Sequence, residues 1–411
     1  MSPPDIRVPG AVTGFTAGAM DFFGFCRERP TSLQYKYQYI GAVMTDPRIN
    51  KLAELLVRYS TRIQPGDKAV INTPQAALPL ARAIYREVLA AGGHPIVMPR
   101  GDYDDLLFRH GTEVQLEFIH EPQRHITEHY DARFAILAED NTKKLSTVDP
   151  SRMVVFDRAR TELMKTMMRR SAEGAFKWVV APFPTNAMAQ DAEMSLEEYE
   201  DFVYGACLPD MADPIGYWNG QSRKLQKVID WLAGRREVRI TAPETDLTLS
   251  IEGRSFVKCD GRFNMPDGEI FTGPVENSAN GHVYFSYPAI EAGREVTGVR
   301  LWFENGNVVK ATAEKNEEFL LRTLDTDEGA RRLGEFAIGT NEGITRFTGE
   351  ILFDEKIGGS FHLALGAGYP ETGSVNESAI HWDMVCDLRN GGQITVDGEL
   401  LYRDGNFTID L

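Results

Sequence analysis

His381 and Asp383 stand one residue apart, on either side of Trp382, within an apolar run over Ser378–Leu388. If that run is a strand, residues i and i+2 point to the same face, and an imidazole and a carboxylate project side by side. Such a pair is a common way to hold a divalent metal. It also suits a plain hydrogen-bonded or solvated pair, and His129-Tyr130-Asp131 repeats the spacing in a polar stretch, so the pattern alone decides nothing. His362 lies in a second apolar run, Phe361–Leu365, where a hydrogen-bonded core histidine is the plainer alternative. Glu269 follows the turn Pro266-Asp267-Gly268 and begins a strand-like run; a solvated glutamate is its plain reading. Glu335 follows Gly334 near the end of an expected helix over Asp327–Phe336. The helix dipole disfavours a carboxylate there, so the residue hints at a task. The remaining histidines offer less: His94, His110, His120, His125 and His129 read as surface or helix-end residues, and His282 has only Glu276 upstream.

Other chemistries lack their motifs. There is no Walker loop, no GxSxG elbow, no HExxH helix, and no GxGxxG after the first strand, where a dinucleotide fold needs it. Gly366-Ala367-Gly368 lacks the third glycine. Cys26, Cys207, Cys259 and Cys386 are far apart and form no CxxC, so neither a thiolate zinc site nor a redox pair is indicated.

The elements that must position these residues divide the chain in three. Residues 1–45 mix Pro, Gly and aromatics without periodicity and read as an N-terminal extension, unless Met44 is the start codon. Residues 46–236 alternate strand and helix. Lys68–Thr73, Pro95–Met98, Arg133–Leu137 and Lys177–Ala181 read as strands. Helices are expected near Gln75–Ala90, Arg152–Arg170, Ser195–Cys207 with a Ser195/Glu198 capping box, and from Ser222 as N-cap to Leu232. This is an α/β domain with a doubly wound, mostly parallel sheet. Residues 237–411 turn strand-rich: Glu237–Thr241, Thr245–Ile251, Val283–Tyr287, Val299–Glu304 and Val308–Thr312, with Asn305-Gly306, Asp397-Gly398 and Asp404-Gly405 as turns. One helical stretch, Asn316 to Phe336, interrupts what is expected to be an α+β C-terminal domain.

Composition excludes several classes. The chain has 411 residues, 42% hydrophobic, too apolar for disorder. No uncharged apolar run approaches the ~18–20 residues of a membrane span. Its 44 basic and 60 acidic residues, net −16, suit neither nucleic acid nor an anionic membrane. No signal peptide is read at the N-terminus, so the expectation is a cytoplasmic protein, with the sequons at Asn376 and Asn406 as chance matches.

Taken together, NMPDGEIFTGP (264–274), DEGARRLGEFAIG (327–339), ILFDEKIGGSFHLALGAGYP (351–370) and NESAIHWDMVCD (376–387) resemble the M29 family of metallo-aminopeptidases, the aminopeptidase T group. Residues 52–71, 91–95 and 137–150 resemble its N-terminal domain, so the likeness spans about 46–411. It implies metal ligands at Glu269, Glu335, His362, His381 and Asp383, a catalytic role for Glu335 as well, and a catalytic tyrosine at Tyr369, seven residues after His362. The stretch Glu355–His362 reads EKIGGSFH where many members have a shorter ENAxxH. The resemblance further implies a homodimer and two divalent metal ions per subunit, zinc, cobalt or manganese. Three carboxylates against +4 leave a net +1 site able to hold a hydroxide. Glu355 and Glu377 are reserve carboxylates for proton transfer. The expected function is removal of N-terminal residues from short peptides by a metal-activated water, with Tyr369 as oxyanion donor. The alternatives are a mononuclear iron dioxygenase of the 2,5-dihydroxypyridine type, using His362, His381 and Asp383, and a non-catalytic flavodoxin-like binding protein.

Overall fold

The computed structural model describes residues 46–101, 103–291 and 293–411. The expectations for residues 1–45 and Met44 lie outside them. Residues 46–411 form one compact unit.

The chain enters through α1 (Pro47–Leu55), which Asp46 caps by accepting from the Arg48 N–H, with Pro47 pre-set for the first helical position. Four parallel strands follow: β1 (Lys68–Pro74), β2 (His94–Arg100), β3 (Ala132–Leu137) and β4 (Lys177–Pro182), in the order β2-β1-β3-β4. Between β1 and β2 runs α2 (Leu78–Ala90), and Gly92 at φ 83° closes it in the left-handed region. Between β3 and β4 runs α3 (Pro150–Ala172). The chain steps outward first to one side of β1 and then to the other. With right-handed crossovers that reversal makes a doubly wound layer. Three short polar helices between β2 and β3 were not expected; Phe108 and Leu116 anchor the first two in a small apolar cluster with Val148.

After β4, α4 (Leu196–Cys207) begins with the Ser195/Glu198 capping box. Next comes α5 (Pro214–Leu232), which starts at the Asp213 cap, two turns before the expected Ser222. Ser222 is interior and donates its hydroxyl to Asp260 Oδ2 at 2.6 Å. Gly216 and Gly220 mask the first turns, although Trp218, Gln221, Leu225, Val228 and Leu232 are buried at helical spacing.

The remainder is antiparallel. An eight-stranded sheet runs from Asn307–Thr312 through Arg300–Glu304, Asn280–Tyr284, Thr245–Ser250, Glu237–Ala242, Gln393–Val396 and Glu399–Arg403 to Asn406–Phe407. Asn305 and Gly306, both at positive φ, make the expected hairpin turn. The strand expected at Val283–Tyr287 instead spans Asn280–Tyr284, because pairing to Asp246–Thr248 begins at Asn280. The predicted helix from Asn316 to Phe336 is also corrected. α6 (Glu317–Leu324) is short, and the segment up to Phe336 ends in a strand.

That strand belongs to a second, five-stranded sheet of β5 (Val257–Cys259), β6 (Glu269–Thr272), β7 (Leu333–Gly339), β8 (Ser360–Gly366) and β9 (His381–Asp387), each beside its neighbour in sequence. The Val180 N–H of β4 donates to Phe263 and the Met265 N–H donates to Val180, which ties the parallel sheet to the turn leading into Glu269. Among the described residues no helix is long and apolar enough to cross a membrane.

Candidate metal centre

Residues paired directly across antiparallel strands share a face. Gly339 pairs with Glu269, Ala337 with His362, Glu335 with Ala364, Ala364 with Asp383, and Gly366 with His381. All five predicted ligands therefore lie on one face of the sheet. Ala337, Gly339, Ala364 and Gly366 lie among them and leave room between the larger side chains. The other face carries Phe336, Ile338, Phe361, Leu363, Leu365, Trp382 and Met384 into the hydrophobic core. A bulge decides the place of Glu335. Leu333 pairs with Leu365 and Glu335 with Ala364, so one extra residue, Gly334, inverts the alternation. Leu333 goes to the core and Glu335 to the opposite face. The helix-end argument for Glu335 does not hold, since the residue stands in β7.

Glu335 reaches both imidazoles with different oxygens: Oε1 lies 3.5 Å from His362 Nε2, and Oε2 lies 3.3 Å from His381 Nε2. Glu269 Oε2 is 3.7 Å from His362 Nε2. Asp383 Oδ1 is 3.5 Å from His381 Nε2 and 4.0 Å from His362 Nε2. Two triplets of donor atoms result, Glu269–Glu335–His362 and Glu335–His381–Asp383, each within 4.8 Å, with Glu335 common to both. The backbone orients the imidazoles: His362 Nδ1 contacts the Glu355 carbonyl at 3.0 Å, and His381 Nδ1 contacts the Ala367 carbonyl at 2.8 Å. Each Nε2 is thereby turned to the cluster, the usual arrangement of a ligating histidine.

The electrostatics show what the cluster attracts. Burial disfavours a charged His362, but Glu335, Glu269 and Asp383 outweigh it and lift its pKa to about 10. Burial is likewise overcome at His381 by Asp383 and Glu335, which lift it to about 11. Burial raises Glu269 to about 8, despite the opposing charge of Lys356. At Glu335 burial acts upward too, but the hydrogen bonds and charges of His362 and His381 hold the carboxyl at about 2. The cluster is a buried field that draws positive charge.

Tyr369 stands at its more exposed edge. The hydroxyl is 3.5 Å from His381 Nε2, and the ring packs edge-on against His381 and tilted against Phe271, at 5.1 Å from each. Burial and then the charges of Glu335 and Asp383 push its pKa far up, so the phenol keeps its proton. The two reserve carboxylates part company. Glu355 joins His362 and Asp383 in a further cluster of donor atoms, whereas Glu377 is exposed and belongs to no such cluster. Sequence reasoning missed Lys356, which is wholly buried, bonded to Glu355 and 3.6 Å from Glu269 Oε1. Its neighbour Glu355 was the only signal. His94, His110, His120, His125 and His129 are exposed, as expected. Asn376 is buried, and its amide donates to the Gly329 and Gly366 carbonyls, so that sequon is structural.

The residues fit a divalent metal. Glu269 Oε2 and Asp383 Oδ1 are buried acceptors without a hydrogen-bond partner. An unsatisfied buried acceptor typically costs ~1–3 kcal/mol, more for a charged group. A cation between the carboxylates and the two Nε2 atoms would satisfy both.

The chain is similar to known proteins over most of its length. The aminopeptidase 2 of Geobacillus stearothermophilus is 27% identical, over 89% of this chain and 99% of its own length. The solved structure of wild-type AmpT from Thermus thermophilus superposes with a TM-score of 0.76 at 25% identity, covering 88% of this chain and 99% of that one. The 2,5-dihydroxypyridine dioxygenase of Pseudomonas putida KT2440 shares the fold, with a TM-score of 0.57 at 12% identity over 89% of this chain and 98% of its own. The family described as thermophilic metalloprotease (M29) matches residues 45–407. The chain thus belongs to the M29 family of metalloproteases.

Proposed function

We propose that this protein is a two-metal aminopeptidase that removes N-terminal residues from short peptides. The observation that carries the reading is the shared carboxylate, with Glu335 facing His362 through one oxygen and His381 through the other. Glu269, Glu335 and His362 would hold one ion; Glu335, His381 and Asp383 would hold the second. Zinc, cobalt and manganese suit such a set of carboxylates and imidazoles. Bound there, the pair would supply a Lewis acid for the scissile carbonyl and a water whose pKa is lowered from near 16 toward ~7.

The chain's own groups supply the rest. The Tyr369 phenol keeps its proton and donates a hydrogen bond to the oxyanion that develops on the carbonyl. Burial raises the pKa of Glu355, and its place beside His362 and Asp383 lets it take a proton from the attacking water and return it to the leaving amine. The named relatives are aminopeptidases, and we extend that exopeptidase habit to this chain. We also propose a cytoplasmic location and, following the family resemblance, a homodimer.

The ring-cleaving alternative would use His362, His381 and Asp383 and leave Glu269 and Glu335 without a task. A structural-metal binding protein would leave the Tyr369 phenol without one. Metal analysis and hydrolysis of dipeptides and tripeptides test the choice. Two ions per chain, cleavage of free-amino peptides and none of N-acetylated ones is the expected result. One iron per chain, with oxygen uptake on a dihydroxypyridine and no peptide cleavage, refutes it.

A further inference from the structure

We propose that Lys356 is a positioning residue that occupies one oxygen of Glu269 and so confines this carboxylate to single-oxygen ligation, which keeps a coordination position open for substrate or water. The inference rests on the metal reading above.

Lys356 is fully buried. Its ammonium is bonded to Glu355 Oε1 and stands 3.6 Å from Glu269 Oε1. The other oxygen of Glu269, Oε2, has no hydrogen-bond partner and faces His362 Nε2 at 3.7 Å. The two oxygens of one carboxylate are therefore divided between an internal cation and the metal cluster. An ammonium has three donors and no acceptor, so it can hold carboxylates but cannot itself ligate a metal. The same ammonium answers a neighbouring donor cluster, Cys259–Asp267–Glu269, whose Asp267 and Cys259 also act on it. The lysine supplies the positive charge on that side, and Glu269 serves the metal side through Oε2 alone.

Removal of the ammonium takes the counter-charge from Glu269 Oε1. The carboxylate can then chelate with both oxygens, the coordination number rises, and the open position is lost. It also leaves Glu269 and Glu355 without their buried counter-charge, so the metal-free protein weakens and leans more on bound metal.

Cobalt(II) titration of the full chain tests this, with wild type, Lys356→Met and Lys356→Gln compared by visible absorption, thermal melting and steady-state kinetics. The d–d bands weaken as coordination number rises. In Lys356→Met the bands should weaken, the metal-free melting temperature should fall, and the rise on adding cobalt should exceed that of wild type. The kcat should drop roughly tenfold or more with KM nearly unchanged, the mark of an effect on the chemical step. Lys356→Gln, which keeps an N–H donor, should change in the same sense by less, and it carries the test if the Met variant does not fold. A folded variant with the wild-type cobalt spectrum and the wild-type metal-induced stabilisation overturns the role of the lysine. A wild type that takes up no cobalt overturns the metal reading itself, and the proposal with it.

Discussion

Replacing Glu335 by glutamine should weaken both ion sites at once. Glu335 is 4% exposed, and its two oxygens are divided between His362 and His381 at 3.5 and 3.3 Å. Glutamine keeps the shape but removes the charge and puts an amide donor where one oxygen stood. One donor triplet falls from three side chains to two, the other keeps only a neutral amide oxygen in place of a carboxylate, and the carboxylate charge of the five-residue set falls from −3 to −2. Removing one partner of a buried charge set costs roughly 3–5 kcal/mol. At 1.4 kcal/mol per tenfold, each ion should then bind about 10²- to 10⁴-fold more weakly. Glu269→Gln and Asp383→Asn each touch one triplet and should weaken one ion by a similar factor while leaving the other near wild type. Equilibrium dialysis with zinc or cobalt counts the ions per chain. Thermal melts give a second reading, since an ion at 100 times its Kd stabilises by about 2.7 kcal/mol and two by roughly 5 kcal/mol. That gain should vanish in Glu335→Gln and halve in the single-triplet variants. A Glu335→Gln protein that keeps one ion at wild-type affinity would refute the shared carboxylate, and with it the two-metal arrangement.

Tyr369→Phe keeps the ring contacts with Phe271 and His381 and loses only the hydroxyl. Its kcat on free-amino dipeptides should fall about 10²- to 10³-fold, with metal content and melting temperature unchanged. Asp327 ties the loop before β7 to the segment before His381, accepting from Gly329, Ala330 and Ala379 N–H groups and from the Ser378 hydroxyl. These bonds, the Ala379 N–H first, hold its pKa below the usual 3.8. A carboxyl with a folded pKa below its unfolded one stabilises above the unfolded value, and that contribution is lost as pH falls through the folded value. Asp327→Asn should therefore melt lower than wild type at neutral pH, and the gap should close in melts run progressively below pH 3.8.

Local signals in this chain were readable from the residues. The parallel strands at Lys68–Pro74 and Lys177–Pro182, the Ser195/Glu198 box and the Asn305-Gly306 turn each depend on a few neighbouring side chains and stand where periodicity and turn chemistry put them. In β9 the alternation of His381 and Asp383 with Trp382 and Met384 assigns the two faces from sequence alone. In β7 every residue is buried, so Leu333–Gly339 shows no alternation, and the spacing of Ala330, Leu333 and Phe336 mimics a helix. Only pairing with β8, nearly thirty residues further along the chain, reveals a strand, and only the bulge at Gly334 turns Glu335 onto the polar face. The meeting of Lys356 with Glu269, and of Glu355 with His362 and Asp383, is likewise tertiary. Residue types declare which groups can bind a metal, because that is a property of single side chains. Strand register decides which of them meet, because it depends on hydrogen bonds between segments far apart in sequence.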